Sequence, residues 1–172
     1  MNMTRGLRNN NPLNIRNGES RWKGMEERDD EKEFVCFLSM SMGYRAAWIL
    51  LRNYHQRLLN VGKSYTLGNI IERWAPPEDN NDTHGYVRRV LRLCAGKVAG
   101  KQPLPLPNTP EGKPLFTEII AAMTCVECGI PLQQVDNEAI FQGYRVAFPE
   151  NQAELDAYFI ARDEYFGWSP FA

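Results

Sequence analysis

Apolar residues in MGYRAAWILLRNYHQRLL recur at three- and four-residue spacing, the stripe of an amphipathic helix over residues 42–59. The stretch Ser39 to Ser41 offers its N-cap, and Val61-Gly62-Lys63 ends it. The same period predicts a short helix, LGNIIERWA, capped by Thr66 and stopped by Pro76-Pro77. It predicts another, GYVRRVLRLCAGKVA, behind Asp82 or Thr83. A long apolar run, LFTEIIAAMTCVECG, closes on a C-cap glycine at Gly129 with Pro131 just beyond. DNEAIFQGYRVAF, capped by Asp136 or Asn137, and QAELDAYFIARDEYFGW complete the helices. Alternation typical of a strand is confined to residues 34–38, after turns at Asn17-Gly18 and Lys23-Gly24 and a charge run over 26–33 that reads as a solvated loop or hairpin tip. The pattern is that of a mainly α protein, α+β by virtue of a small β-element between residues 16 and 38.

Between the helices, GKQPLPLPNTPEGKP carries five prolines from Pro103 to Pro114 and reads as an extended connector over about 101–114. At 172 residues the chain fits one domain, 1–172, large enough to bury roughly two thirds of its unfolded surface. No apolar run reaches the roughly 20 residues of a membrane span. The first 25 residues hold no apolar stretch of the kind a signal peptide needs, so the expectation is synthesis in the bacterial cytoplasm without a secretory signal. A net charge of −1 gives no general attraction to a polyanion, and nucleic acid is not an expected partner. Arg88, Arg89 and Arg92 recur at helical spacing and read as a solvated face. The four cysteines are Cys36, Cys94, Cys125 and Cys128. Only Cys125 and Cys128 make a C-x-x-C, and the two histidines, His55 and His84, form no ligand-like pair; buried reduced thiols are expected rather than a metal site.

Three places carry candidate chemistry. Glu127 sits in the last turn of an apolar helix, where apolar surroundings and the negative helix end both favour the protonated carboxyl a general acid needs. An exposed helix-terminal glutamate is the plain alternative. In RWAPPEDNNDTHGY, Trp74 and Tyr86 place flat aromatic rings beside fixed polar groups, a combination suited to sugars, and Asp79 or Asp82 would supply a second carboxylate. A buried tryptophan beside a proline turn is the competing reading. The opening RGLRNNNPLNIR concentrates Asn10, Asn11, Asn14 and Arg16 just ahead of Trp22; asparagines serve tight turns, and on a pinned loop beside an aromatic they also suit an N-acetylated sugar.

These motifs, RGLRNNNPLNIR, then W-x-G (Trp22, Gly24), F-x-x-F (Phe34, Phe37), GYRAAWILLRNY and ERWAPPEDNNDTHGYVRRV, resemble a family of small phage and prophage proteins, often labelled virion structural proteins. The resemblance covers about residues 5–148. Members end a late helix in Glu-Asn-Gly, which here falls on Glu127-Cys128-Gly129, with Cys128 in place of Asn. A more distant similarity is to bacterial glucosaminidases of the lysozyme-like superfamily, whose catalytic Glu helix precedes an Asn-rich loop, a W-x-G, an aromatic segment and a Tyr. Here the order is the same except that the Glu helix lies at the back, the arrangement a circular permutation produces.

That resemblance implies a lysozyme-like fold and hydrolysis of β-1,4 bonds in peptidoglycan glycan strands. Glu127 would be the general acid, with Asp79 or Asp82 as second carboxylate. Asn10, Asn11, Asn14, Arg16, Trp22, Trp74 and Tyr86 would bind substrate, and no metal or organic cofactor would be required. The enzyme would reach the wall through a virion, a holin or a secretion machine. The alternatives are a non-catalytic virion or wall-binding protein, for which Cys128 speaks, and a thiol peptidase using Cys125 or Cys128 with His84 as base.

Overall fold

The Asn-rich opening is stitched together by its own side chains. In the computed structural model, which describes residues 3–151, Arg5–Arg8 makes one helical turn, α1. Asn10 and Asn14 then take left-handed backbone conformations, φ 51° and 50°, which asparagine tolerates better than other non-glycine residues. The amide of Asn11, wholly buried, donates to the carbonyls of Ile15 (2.9 Å) and Val35 (2.8 Å) and accepts from the Ile15 N–H (2.9 Å). Asn10 donates to Phe37 O at 3.0 Å, and Asn9 to Glu31 Oε2 at 3.0 Å. The loop thereby runs beside a small antiparallel sheet, β1 (Met25–Glu26) and β2 (Cys36–Phe37), in the register Met25↔Phe37 and Glu26↔Cys36, with a bridge between Arg16 and Phe34. The expected β-element is present; its strand is shorter than 34–38 because Phe34 and Val35 pair with the loop instead.

The helices follow in the expected order. Ser39 caps α2 (Met40–Leu59), which starts two residues before the sequence pattern placed it. Thr66 caps α3 (Leu67–Trp74), its hydroxyl accepting from Asn69 N. Asp82 caps α4 (Thr83–Leu93). That helix stops short of residue 99 because Ala95 and Gly96 turn left-handed, φ 48° and 81°. Helix α5 (Gly112–Cys128) begins three residues early: Pro114 lies in its first turn, where backbone N–H groups lack helical partners and proline costs little, so the connector ends at residue 111. Asp136 caps α6 (Asn137–Ala147). The helix expected over 152–168 lies outside the described residues.

Trp48 on α2 anchors the core. Fully buried, it donates its indole N–H to Ile140 O at 3.1 Å and meets Tyr144 and Phe148 edge-on, at 5.0 and 6.4 Å between ring centroids. Gly143 lets α6 lie against α2, since a Cβ there would stand 2.8 Å from Tyr44 Cβ. Helix α5 buries Phe116, Ile119, Ile120 and Met123 in this core. A smaller cluster of Ile15, Val35, Phe37 and Ala46, with Trp22 and Trp74 packed on it, joins the sheet and the opening loop to α2. Among the described residues no helix is long and apolar enough to cross a membrane.

Asp82 is a helix cap, not a free carboxylate: its Oδ1 accepts from Gly85 N at 2.9 Å. Asp82→Ala is expected to cost about 1 kcal/mol, the usual worth of such a cap, read as a lower thermal midpoint.

Candidate functional site

Asn14 and Glu127, 113 positions apart in sequence, meet at the end of α5. Two close approaches bring this about. Gly6 on α1 leaves no room for a Cβ, which would stand 2.8 Å from Cys128 Sγ, and the Cys128 thiol donates to Pro12 O at 3.3 Å. The left-handed turn at Asn14 then presents its amide, Nδ2 donating to Glu127 Oε2 at 2.9 Å. From the other side the Tyr86 hydroxyl of α4 donates to Glu127 Oε1 at 2.8 Å. Burial and the facing carboxylate together hold the Tyr86 phenol well above its ordinary pKa, so it stays a neutral donor. Three elements thus fix a half-buried carboxylate whose side chain borders an open cleft of about 450 Å³.

The cleft gathers part of the expected set. Asn14, Arg16, Trp22, Trp74, Asp79 and Glu127 all line it. Trp22 and Trp74 are half-buried, with faces supported by the smaller apolar cluster. Asp79 is exposed on a short 3-10 turn, Pro77–Asp79. Asn10 and Asn11 do not line the cleft: half-buried Asn10 donates to Phe37 O, and the wholly buried Asn11 amide is spent on Ile15 and Val35. Tyr86 likewise offers no ring to a ligand: it is 5% exposed and acts through its hydroxyl on Glu127. Asp82 faces a different hollow, beside His84.

Sequence reasoning missed Arg5, Phe34, Asn53, Tyr54 and Arg57, which also line the cleft. Tyr54 and Arg57 lie on α2 one helical turn apart, a spacing that marks a shared face, but nothing in the helix says that Trp74 will sit opposite. The rings of Tyr54 and Trp74 are 6.0 Å apart.

The four cysteines are buried free thiols. Burial pushes the Cys128 thiol up to about 11 and raises that of Cys125, so neither supplies a thiolate nucleophile near neutral pH. His84 is exposed and lies outside the Glu127 cleft. Iodoacetamide applied to the folded protein at pH 7 is therefore expected to leave Cys125 and Cys128 unmodified, with alkylation appearing only after denaturation, as read by intact mass.

Fold and site together define a mainly helical protein with a small two-stranded sheet and a carboxylate held at a helix end over an aromatic- and amide-lined cleft. No family model matches the chain. Over 128 residues, 73% of this chain and 71% of the relative, it is 36% identical to Protein P5 of Pseudoalteromonas phage PM2. The chain belongs to the family of that phage protein.

Proposed function

We propose that the protein is a phage-associated peptidoglycan glycosidase, lysozyme-like in mechanism, with Glu127 as the general acid that protonates the leaving glycosidic oxygen. The observation that carries this reading is the placement of Glu127: a carboxylate aimed by two hydrogen bonds at the edge of an open cleft between Trp22 and Trp74. A tyrosine hydroxyl accepts as readily as it donates, so the Tyr86 contact survives when Glu127 carries the proton. Asp79, on the same cleft, is the second carboxylate that would stabilise the oxocarbenium-like state or position water. Trp22 and Trp74 offer stacking faces for sugar rings. The meeting of the opening loop with the end of α5 supports a permuted lysozyme-like order, in which a loop that normally follows the catalytic helix precedes it. Peptidoglycan strands are the substrate, reached through a virion, a holin or a secretion machine.

A second reading draws on the same contact. With both carboxylate oxygens occupied, Glu127 also serves as a strut between α1's loop, α4 and α5, which suits a non-catalytic wall-binding phage protein. Mass spectrometry of fragments released from purified sacculi separates the two. Disaccharide muropeptides from the wild type and none from Glu127→Gln support the glycosidase, and the reducing-end sugar names the bond cut. Sedimentation with sacculi without fragments from either protein leaves the binding protein.

A further inference from the structure

The cleft is charged differently from the chain that forms it. The whole protein carries a net charge of −1, yet three arginines, Arg5, Arg16 and Arg57, line the cleft against two carboxylates, Asp79 and Glu127. The inference rests on the peptidoglycan-binding reading proposed above.

These guanidinium groups are mounted on rings. Arg5 lies over the Phe34 ring with 3.5 Å from Cζ to the centroid, and Arg16 reaches the same ring at 5.2 Å. Arg57 lies 5.9 Å from the centroid of Tyr54, and both residues line the cleft. Stacking restrains a side chain that would otherwise lose much rotamer freedom on binding, and leaves the planar N–H fork at the edge free to pair with a carboxylate. Arg16 shares its charge with Glu33 at 2.6 Å. Arg5 and Arg57 form no ion pair with a carboxylate among the described residues. A neutral N-acetylated sugar chain has no use for such groups. The peptide stems of peptidoglycan, which bear free carboxylates along the strand, do.

We infer that the cleft recognises its glycan as a carboxylate-bearing polymer, with Arg5 and Arg57 binding stem-peptide carboxylates on either side of the sugar chain's path. The protein then discriminates against neutral β-1,4-linked N-acetylglucosamine chains and against peptidoglycan whose carboxylates are masked.

The test is co-sedimentation with two preparations of the same Gram-negative sacculi, one untreated and one in which carbodiimide coupling to methylamine has turned the carboxylates into neutral amides. Glycosidic bonds survive that treatment. Wild-type protein is expected to bind untreated sacculi about tenfold more tightly, a difference that shrinks as salt rises from 0.05 to about 0.5 M because the paired charges lie at an open surface. The double variant Arg5→Gln/Arg57→Gln is expected to bind both preparations alike, at the level of wild type on masked sacculi. Arg5 and Arg57 are exposed, and an unchanged thermal midpoint would verify that the variant is folded. Equal binding of the wild type to both preparations, or a double variant that keeps the preference, overturns the inference. Fragments released in the same tubes report separately on the glycosidase reading: binding that depends on carboxylates without fragments would sink the enzyme and leave carboxylate recognition standing.

Discussion

On the proposed glycosidase reading, Glu127→Gln is expected to lower the rate of fragment release from sacculi by about 10²- to 10⁴-fold, the range that removal of a general acid commonly costs. The substitution is nearly isosteric, and the surrounding hydrogen bonds can be kept. The new amide oxygen would accept from Asn14, and its NH₂ would donate to the Tyr86 hydroxyl, which turns from donor to acceptor. A thermal midpoint close to wild type therefore accompanies the lost activity, and that pairing separates chemistry from folding. Tyr86→Phe tests how the acid is aimed. It removes the 2.8 Å contact to Oε1 while keeping the buried ring, and an activity loss of about ten- to a hundredfold is expected from the looser carboxylate. A Glu127→Gln protein that releases fragments at the wild-type rate would remove Glu127 from the mechanism altogether.

The second large effect concerns stability. Asn11→Leu keeps the approximate size of the side chain and deletes three hydrogen bonds at a site with no solvent access. Ile15 N–H and Val35 O lose their Asn11 partner together, while Ile15 O keeps the Val35 N–H at 2.9 Å, and each buried group so orphaned costs about 1–3 kcal/mol. A loss of more than about 3 kcal/mol is expected in urea unfolding, enough to unfold a marginal domain. Because the same loop carries Asn14 to Glu127, partly destabilised protein would also lose the site before it loses the α2–α6 core. A loss under about 1 kcal/mol would mean that the loop is held by its backbone pairing to Val35 and Phe37 rather than by Asn11.

The asparagine run shows where sequence reading succeeded and where it stopped. RGLRNNNPLNIR is recognisable as a pinned loop, whereas its contact with Glu127 is made by the fold. The division of labour within the run was not legible. Asn11 is a buried brace, Asn10 a half-buried one, and Asn14 alone reaches the Glu127 carboxylate, yet all three are the same residue type within five positions. Which amide turns inward depends on two left-handed φ angles and on the partner strand, neither of which a local pattern encodes. Asp79 and Asp82 pose the same difficulty. They lie three residues apart beside one proline turn, but one borders the cleft and the other is consumed by a helix N-terminus.

The sequence by itself determined the elements: the helical stripes of α2 and α5, the cap Thr66 and the two-residue choices Asp82 or Thr83 and Asp136 or Asn137, the glycine and proline stops, and a β-element short enough to leave the fold mainly helical. These are properties of neighbours three or four residues apart, where the chain's own hydrogen bonding and hydrophobic period decide. Only the tertiary structure decided the cleft. It takes Arg5 from α1, Asn14 from the loop after it, Tyr54 and Arg57 from α2, Trp74 from α3 and Glu127 from α5, and closes them around one space. The physical reason is packing: Gly6 against Cys128, and Gly143 against Tyr44, set the distances at which side chains far apart in sequence come to face one another.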